Sequence, residues 1–276
     1  MSILAPDTPE DMDLNWIGLL DAKMSGWFLK DSGELFKGFK ISASDSVLDV
    51  GCGDGTAALF CTDRGAHVTI SDIDADTIKA LETKLDESGA NGRYSSVVCN
   101  SDPLLVPDSF ATRVICQEVL EHVENPQRVV SELVRAGKPG ALYLLTVPGQ
   151  RGEEIQKKFA PADYFEHPHH IRIFEKGEFN SLAENAGLEV IEYSSNGFYL
   201  TFWMCIQWAV AAANSRNSGE PYSFSDSPFV PPFDESLSGW ARLWGSLIST
   251  PEGEALKKEM DKLLPKVQII IARKPG

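Results

Sequence analysis

Apolar positions along this chain repeat with two different periods. Short apolar runs of strand length recur: SVLDV at 46–50, HVTISD at 67–72, RYSSVVC at 93–99, RVICQEV at 113–119 and ALYLLTV at 141–147. Between them lie segments whose apolar residues fall on one helical face. Residues 54–63 carry Ala57, Ala58, Leu59 and Phe60. Residues 75–88 carry Ile78, Leu81 and Leu85, and residues 126–136 carry Val129, Val130, Leu133 and Val134. Strands alternating with amphipathic helices predict an α/β fold with a parallel sheet covered on both faces. Right-handed crossovers then make it a Rossmann-like, doubly wound arrangement.

Two flanking features complete the pattern. Asp11–Phe39 reads as helix, with Trp16, Leu19, Leu20, Trp27, Phe28 and Leu35 recurring on one side, so residues 1–43 are expected to form an N-terminal helical cap segment. Toward the other end, Lys176–Ala186 reads as a helix stopped by Gly187, followed by the strand LEVIEYS, and the chain closes with the strand KVQIIIARK. The 197–265 stretch between these two strands is far too long for a simple connection. It begins with an aromatic run, passes through the Ser- and Pro-rich SRNSGEPYSFSDSPFVPPFDES, which reads as loop, and ends in the charged helix PEGEALKKEMDKLL. The expected organisation is a sheet domain over 44–196 and 266–276, with 197–265 inserted between its sixth and seventh strands as a helical and loop cap over the ligand.

Composition narrows the function. A content of 43% hydrophobic and 24% charged residues is ordinary for a soluble globular protein. The net charge of -15 repels phosphate backbones and anionic lipid, which disfavours nucleic acid and membrane surfaces as partners and points to a small-molecule substrate. Only a local basic patch would evade that argument. Cys52, Cys61, Cys99, Cys116 and Cys205 are scattered without a CxxC pair, so a disulfide framework and a structural zinc site are both unexpected. Free thiols fit a cytoplasmic protein. The N-terminus, MSILAPDTPEDMD, lacks the charged-then-apolar pattern of a secretion signal. The apolar stretch 198–213 is interrupted by Thr201 and Gln207 and falls short of the ~20 residues that span a bilayer. It reads as a buried or lid helix.

The candidate chemistry begins at VLDVGCGDGT, residues 47–56. The first strand of a doubly wound sheet ends at a crevice where ligands bind. Gly51, Gly53 and Gly55 let the backbone turn sharply and let a ligand approach without meeting a Cβ. The following helix directs its free N–H groups at the same place. The second strand ends at Asp72, where a carboxylate accepts hydrogen bonds from the two hydroxyls of a ribose. A nicotinamide dinucleotide would want G-x-G-x-x-G and a pyrophosphate site. Here the spacing is G-x-G-x-G, and Asp49 is awkward beside a dianion. It suits an ammonium group instead. S-adenosylmethionine carries an ammonium, a sulfonium and a ribose, and no phosphate.

These residues resemble the class I S-adenosylmethionine-dependent methyltransferases. VLDVGCGDG looks like their first motif and SDID like the acidic end of their second strand. DPLLVPDSF resembles their D-x-x-x-x-P stretch, and EVLEHVENP and AGKPGALYLLTVPG look like their fourth and fifth strand regions. HHIRIFEKGEFNSLAENAGLEVIEY is similar to the small-molecule branch that includes the ubiquinone-type O-methyltransferases. The resemblance implies seven strands in the order 3-2-1-4-5-7-6 with strand seven antiparallel. It implies that Asp49 and Gly51 face the methionine part of S-adenosylmethionine and that Asp72 faces the ribose, with Ile73 beside it among the cofactor-binding residues. Asp102 would bind the adenine amino group with Ser101 beside it, and Gln117 and Glu118 would lie near the methionine end. The chain departs from the family at Phe110-Ala111-Thr112, where Phe-Asp is usual, and has Ala141 where a second glycine often stands. The Phe110 departure puts the local loop in doubt more than the cofactor.

Methyl transfer is an in-line displacement on an already activated carbon, so a protein supplies mainly alignment and water exclusion, and a base where the nucleophile needs one. Base candidates are His122 in LEHV and His170 in EHPHHIRIF, with His169 as a substrate clamp. The plain alternative for each is a structural histidine or a turn. Glu118, Glu121 and His122 have helix-like spacing that could hold a divalent metal with the HPHH segment, but without aligned partners no metal is assigned. Tyr199 and Trp203, in an aromatic run with Phe198, Phe202 and Trp208, are candidates for a substrate wall or for cation–π contact with a sulfonium. Their alternative is ordinary helix packing, with Trp240 and Trp244 expected in the same cap. Competing functions are aminocarboxypropyl transfer or ring closure from the same cofactor, a nicotinamide oxidoreductase, and a non-catalytic binding module.

Overall fold

A computed structural model describes residues 14–219 and 233–276. Contacts divide them into two compact units. One holds the described parts of Met1–Ser25, Pro148–Ile173 and Ser195–Val267, and the other holds Gly26–Val147, Phe174–Ser194 and Gln268–Gly276.

The N-terminal segment differs from its periodicity. Helix α1 spans Leu14–Met24, and the rest of the expected helix is instead a three-stranded antiparallel sheet: β1 (Trp27–Leu29), β2 (Glu34–Phe36) and β3 (Phe39–Lys40). Gly26, just past the helix end, sits at φ +99°, a conformation that terminates helices and that side chains resist. Trp27 then pairs across to Phe36, with ring centroids 4.6 Å apart. Residues 11–13 of the expected helix lie outside the described residues.

The alternating region builds the main sheet. Its elements are β4 (Ser46–Val50), α2 (Thr56–Asp63), β5 (His67–Asp72), α3 (Ala75–Glu87), β6 (Tyr94–Val98), β7 (Ala111–Gln117), α4 (Pro126–Ala136) and β8 (Gly137–Pro148). They continue with α5 (Gln150–Gln156), α6 (Lys176–Asn185), β9 (Glu189–Asn196), α7 (Phe198–Ser218), α8 (Glu235–Ile248), α9 (Pro251–Leu263) and β10 (Val267–Arg273). The strand order is β6-β5-β4-β7-β8-β10-β9, and β6 through β8 run parallel. Lys274 N–H bonds to Ala141 O while Gly149 N–H bonds to Lys266 O, so β10 runs against β8. Counting only these seven strands, the order is 3-2-1-4-5-7-6 with strand seven antiparallel, as the resemblance implies.

Burial follows the helical spacing. Val129, Val130, Leu133 and Ala136 of α4 share one buried core with Leu48, Val114, Leu145 and Ile270 of the strands. Each large aliphatic side chain buried this way stabilises the fold by about 1.5–3 kcal/mol. At the Phe110 departure, β7 begins with a buried Ala111 and shifts register against β8 before Arg113. Asp45, just before β4, anchors that end: it accepts from Thr112 Oγ1 at 2.8 Å and lies 3.2 Å from Arg113 Nη1.

The helical unit has its own core of Ile17, Phe198, Tyr199, Trp203, Leu237, Trp244 and neighbours. A buried polar clasp runs through it. Lys257 Nζ lies 2.6 Å from Asp261 and 3.3 Å from Asp21, and it donates to Ser25 Oγ at 2.7 Å. Asp261 also accepts the N–H groups of Gly197 and Phe198 at the start of α7. Trp244 Nε1 donates to Asp21 at 2.8 Å.

Residues 148–173, expected with the sheet, cluster with this helical unit. Gly149 and Gly152 stand where a Cβ would run into the Pro265 carbonyl, and the Tyr164 ring is 4.6 Å from Trp208. The Ser- and Pro-rich loop lies mostly outside the described residues; its ends belong to α7 and α8. Among the described residues no helix is long and apolar enough to cross a membrane.

Candidate active site

Strand β4 lies between β5 and β7, where the strand order reverses, and ends in the glycine turn. Gly51, Gly53 and Gly55 have φ of +68°, +46° and +83°. The space a Cβ would need is taken by Val119 at Gly51 and by Leu81 at Gly55, so these two are bare because protein side chains pack there. Gly53 alone faces open space, with nothing nearer than 3.9 Å. Of the three, only Gly53 leaves the space of its absent Cβ open; at Gly51 and Gly55 that space holds protein side chains and not a ligand.

A pocket of ≈ 360 Å³ opens beside this turn, lined by Asp49, Asp54, Cys52, Gln117 and Phe28 among others. Asp49 is 3% exposed, and its Oδ2 is buried without a hydrogen-bond partner among the described residues. Burial, with Asp54 and Asp72 nearby, raises its carboxyl from 3.8 to about 7. The same surroundings push the Cys52 thiol up to about 12, so it is protonated and unreactive at neutral pH. Asp72 Oδ2 accepts from Gly53 N–H at 3.3 Å and Oδ1 from Asp74 N–H at 3.0 Å, which fixes the carboxylate and leaves each oxygen a further lone pair. The first N–H of α2, at Thr56, is already taken by Asp54 Oδ1 at 3.0 Å. Among its described lining residues the pocket has no lysine or arginine. Carboxylates without a cation repel a phosphate and attract an ammonium or sulfonium.

The remaining cofactor candidates lie in the same unit. Ile73 follows Asp72 and is 71% exposed, an apolar surface open to a ring. Ser101 is buried, and Asp102 pairs with Arg128 at 2.9 Å. Gln117 lines the pocket. Glu118 adopts φ +52° and accepts from Thr146 Oγ1 at 3.2 Å. The residues after it form a turn, so Glu118, Glu121 and His122 do not share the helical face that their spacing suggested. His122 Nε2 lies 3.8 Å from the buried Glu121 carboxylate.

The other candidates belong to the helical unit. His170 is 9% exposed; its Nδ1 is 2.8 Å from buried Glu153, and its ring lies 4.5 Å from Tyr164. This engagement in a buried cluster is the structural role weighed against catalysis. His169 sits in the turn that follows Tyr164, its N–H bonded to Glu166 O. Tyr199 and Trp203 are 2% and 3% exposed. Tyr199 stacks on Trp240, and Trp203 meets Phe233 edge-on, so both rings are used in the helical core and not as an open substrate wall. Trp240 and Trp244 lie 5.2 Å apart in the same core, as expected. The residue that sequence reasoning missed is Phe28, hidden because its segment reads as helix.

Sheet order, glycine turn and paired acidic strand ends define a Rossmann-like enzyme of the class I cofactor-binding type. The family model described as a methyltransferase domain matches residues 26–193. A ubiquinone biosynthesis O-methyltransferase of Chromobacterium violaceum is 32% identical over 168 residues, covering 56% of this chain and 69% of that protein. Among solved structures, the [4+2]-cyclase SpnF superposes with a TM-score of 0.55 at 19% identity, covering 95% of this chain and 81% of that one. A geranyl diphosphate methyltransferase in complex with S-adenosylmethionine gives 0.53 at 16% identity, with 85% and 79% covered. These two likenesses concern the fold. The chain belongs to the methyltransferase-domain family. It is a class I methyltransferase whose cofactor is S-adenosylmethionine and which methylates a small molecule. The residues present fit that cofactor: among the described residues, a buried carboxylate oxygen without a hydrogen-bond partner suits the ammonium, an anchored Asp72 suits the ribose, and no lining cation favours a phosphate.

Proposed function

We propose that this enzyme methylates an oxygen or nitrogen nucleophile of a small molecule, with a hydroxyl oxygen favoured by the O-methyltransferase relatives. When bound, S-adenosylmethionine supplies an electrophilic methyl group on a sulfonium. Asp49 binds the ammonium and Asp72 the ribose hydroxyls. Ser101 and Asp102 hold the adenine amino group, Ile73 covers the ring's apolar face, and Gln117 and Glu118 border the methionine end. Gly53 leaves the approach open, while Gly51 and Gly55 keep the turn in shape.

His122, in the turn after the strand that carries Gln117, is the base that accepts the nucleophile's proton. Glu121 beside it stabilises the imidazolium so formed. His170 is held by Glu153 and is assigned a structural role. A net charge of -15 argues against nucleic acid as a partner, and five free cysteines suit the cytoplasm.

The observation that carries the reading is the buried Asp49 oxygen, without a hydrogen-bond partner among the described residues, in a pocket whose described charged lining residues are Asp49 and Asp54. The test is incubation with labelled S-adenosylmethionine and cell extract, followed by mass identification of both products. S-adenosylhomocysteine together with a methylated small molecule is expected. Methylthioadenosine would replace methyl transfer by aminocarboxypropyl transfer or ring closure, and binding without turnover would make the protein a binding module.

A further inference from the structure

The pocket beside the glycine turn has one aromatic among its described lining residues, Phe28. It comes from the small N-terminal sheet and not from the aromatic helix that its composition made conspicuous. Its backbone is unusual, with φ +54° in the middle of β1. A bulky residue in the left-handed region is a genuine outlier, and such conformations persist only where the surroundings hold them. The surroundings do hold it. Trp27 and Leu29 on either side are locked to β2 through their pairing with Phe36 and Glu34. The ring of Phe28 lies 6.0 Å from Trp27 and 6.1 Å from Phe60 of α2. Phe60 is capped in turn by the Arg64 guanidinium at 5.0 Å, which leaves Phe28 as the ring available to the pocket.

The charged residues among the pocket's described lining are acidic: Asp49 and Asp54 line the same space and Asp72 adjoins it, while the nearby cations are held elsewhere, Arg64 over the Phe60 ring and Lys84 Nζ on the Asp54 carbonyl at 3.2 Å. A cation placed there meets carboxylates and one π face. The two cofactor forms that enter and leave a methyltransferase share their ammonium, ribose and adenine. They differ by the methyl group and the positive charge on sulfur. Asp49 and Asp72 act on the shared parts, so neither of them distinguishes the forms by the group it binds. A ring quadrupole acts on the charge itself.

We propose that Phe28 is the positioning residue that reads the sulfonium charge, favouring the methyl donor over the neutral demethylated product through a cation–π contact. The inference rests on the cofactor reading above. It goes beyond that reading by assigning donor-over-product selectivity to the N-terminal sheet.

The test measures affinity for S-adenosylmethionine and for S-adenosylhomocysteine separately, by calorimetry, on the full chain. Phe28→Leu keeps an apolar side chain and removes the ring. It is expected to weaken donor binding by on the order of 3- to 30-fold, the range of a single cation–π contact, and to leave product binding within about twofold. Phe28→Trp is expected to keep the wild-type preference or strengthen it. Fluorinated phenylalanines incorporated at position 28 keep the shape and reduce the quadrupole. Donor affinity should fall stepwise with fluorination while product affinity stays level, which tests the inference even if the leucine variant misfolds. Equal losses for both ligands, or no loss for either, would overturn it by making Phe28 a packing residue. Failure of the wild-type protein to bind either ligand would instead overturn the cofactor reading.

Discussion

Asp49→Asn separates stability from binding at one atom. The carboxyl is 3% exposed and raised from 3.8 to about 7 by burial, Asp54 and Asp72. A carboxyl with a raised folded-state value holds its proton more tightly in the folded than in the unfolded chain. Between about pH 4 and pH 7 the folded state therefore carries more protons, and stability falls as pH rises through that window. The rise covers about three pH units, and at ~1.4 kcal/mol per unit the cofactor-free protein loses up to about 4 kcal/mol by neutral pH. Asparagine keeps the shape and a polar group in the same place but never ionises. The cofactor-free variant should therefore be more stable than wild type at pH 7.5 by up to about 4 kcal/mol, with the gain shrinking to nothing near pH 4. Binding should move the other way. A charge-assisted hydrogen bond to the ammonium contributes about 1.5–3 kcal/mol, so S-adenosylmethionine should bind the variant at least tenfold more weakly. Urea unfolding followed by circular dichroism from pH 4 to 8, with and without cofactor, reads both effects. A stability difference that does not vary with pH would refute a carboxyl raised by its surroundings. Undiminished cofactor binding would refute its role toward the ammonium.

Asp72→Ala is expected to weaken cofactor binding by about 1–3 kcal/mol in calorimetry, since it removes acceptors for the ribose hydroxyls and frees the N–H groups of Gly53 and Asp74. Gly51→Ala forces a Cβ into Val119 at φ +68° and should destabilise the fold by roughly 1–3 kcal/mol, read as a lowered melting temperature without cofactor. Lys257→Met leaves Asp21 and Asp261 facing each other in the helical core without their shared cation, and about 3–5 kcal/mol should be lost in urea unfolding. Asp21 is already raised by burial, so the variant should recover stability as pH falls and the Asp21 carboxyl takes up a proton. A Lys257→Met protein as stable as wild type at neutral pH would show that the clasp contributes nothing.

Local pattern determined most of the sheet unit. SVLDV, HVTISD and Pro126–Ala136 appear at their expected bounds because strand and helix periods, glycine stops and the Asn125 cap all act within a few residues. The glycine turn and Asp72 were legible for the same reason: a sharp turn after a strand and an acid at the next strand end are short-range demands. Tertiary structure decided what the same residue types were for. Trp27, Phe28 and Leu35 fit a helical stripe in sequence, yet they lie in a β sheet, because a helix stripe and successive short strands give similar apolar spacing until cross-strand pairing selects one. Tyr199 and Trp203 have the composition of a ligand wall, but burial against α8 makes them core, while Phe28 reaches the pocket. His170 and Asp49 show the two possible outcomes for a buried ionisable group. One meets Glu153 from 17 positions away, and the other has an oxygen with no hydrogen-bond partner among the described residues. Which outcome applies depends on the residues that folding brings around the group, and no short window of sequence contains them.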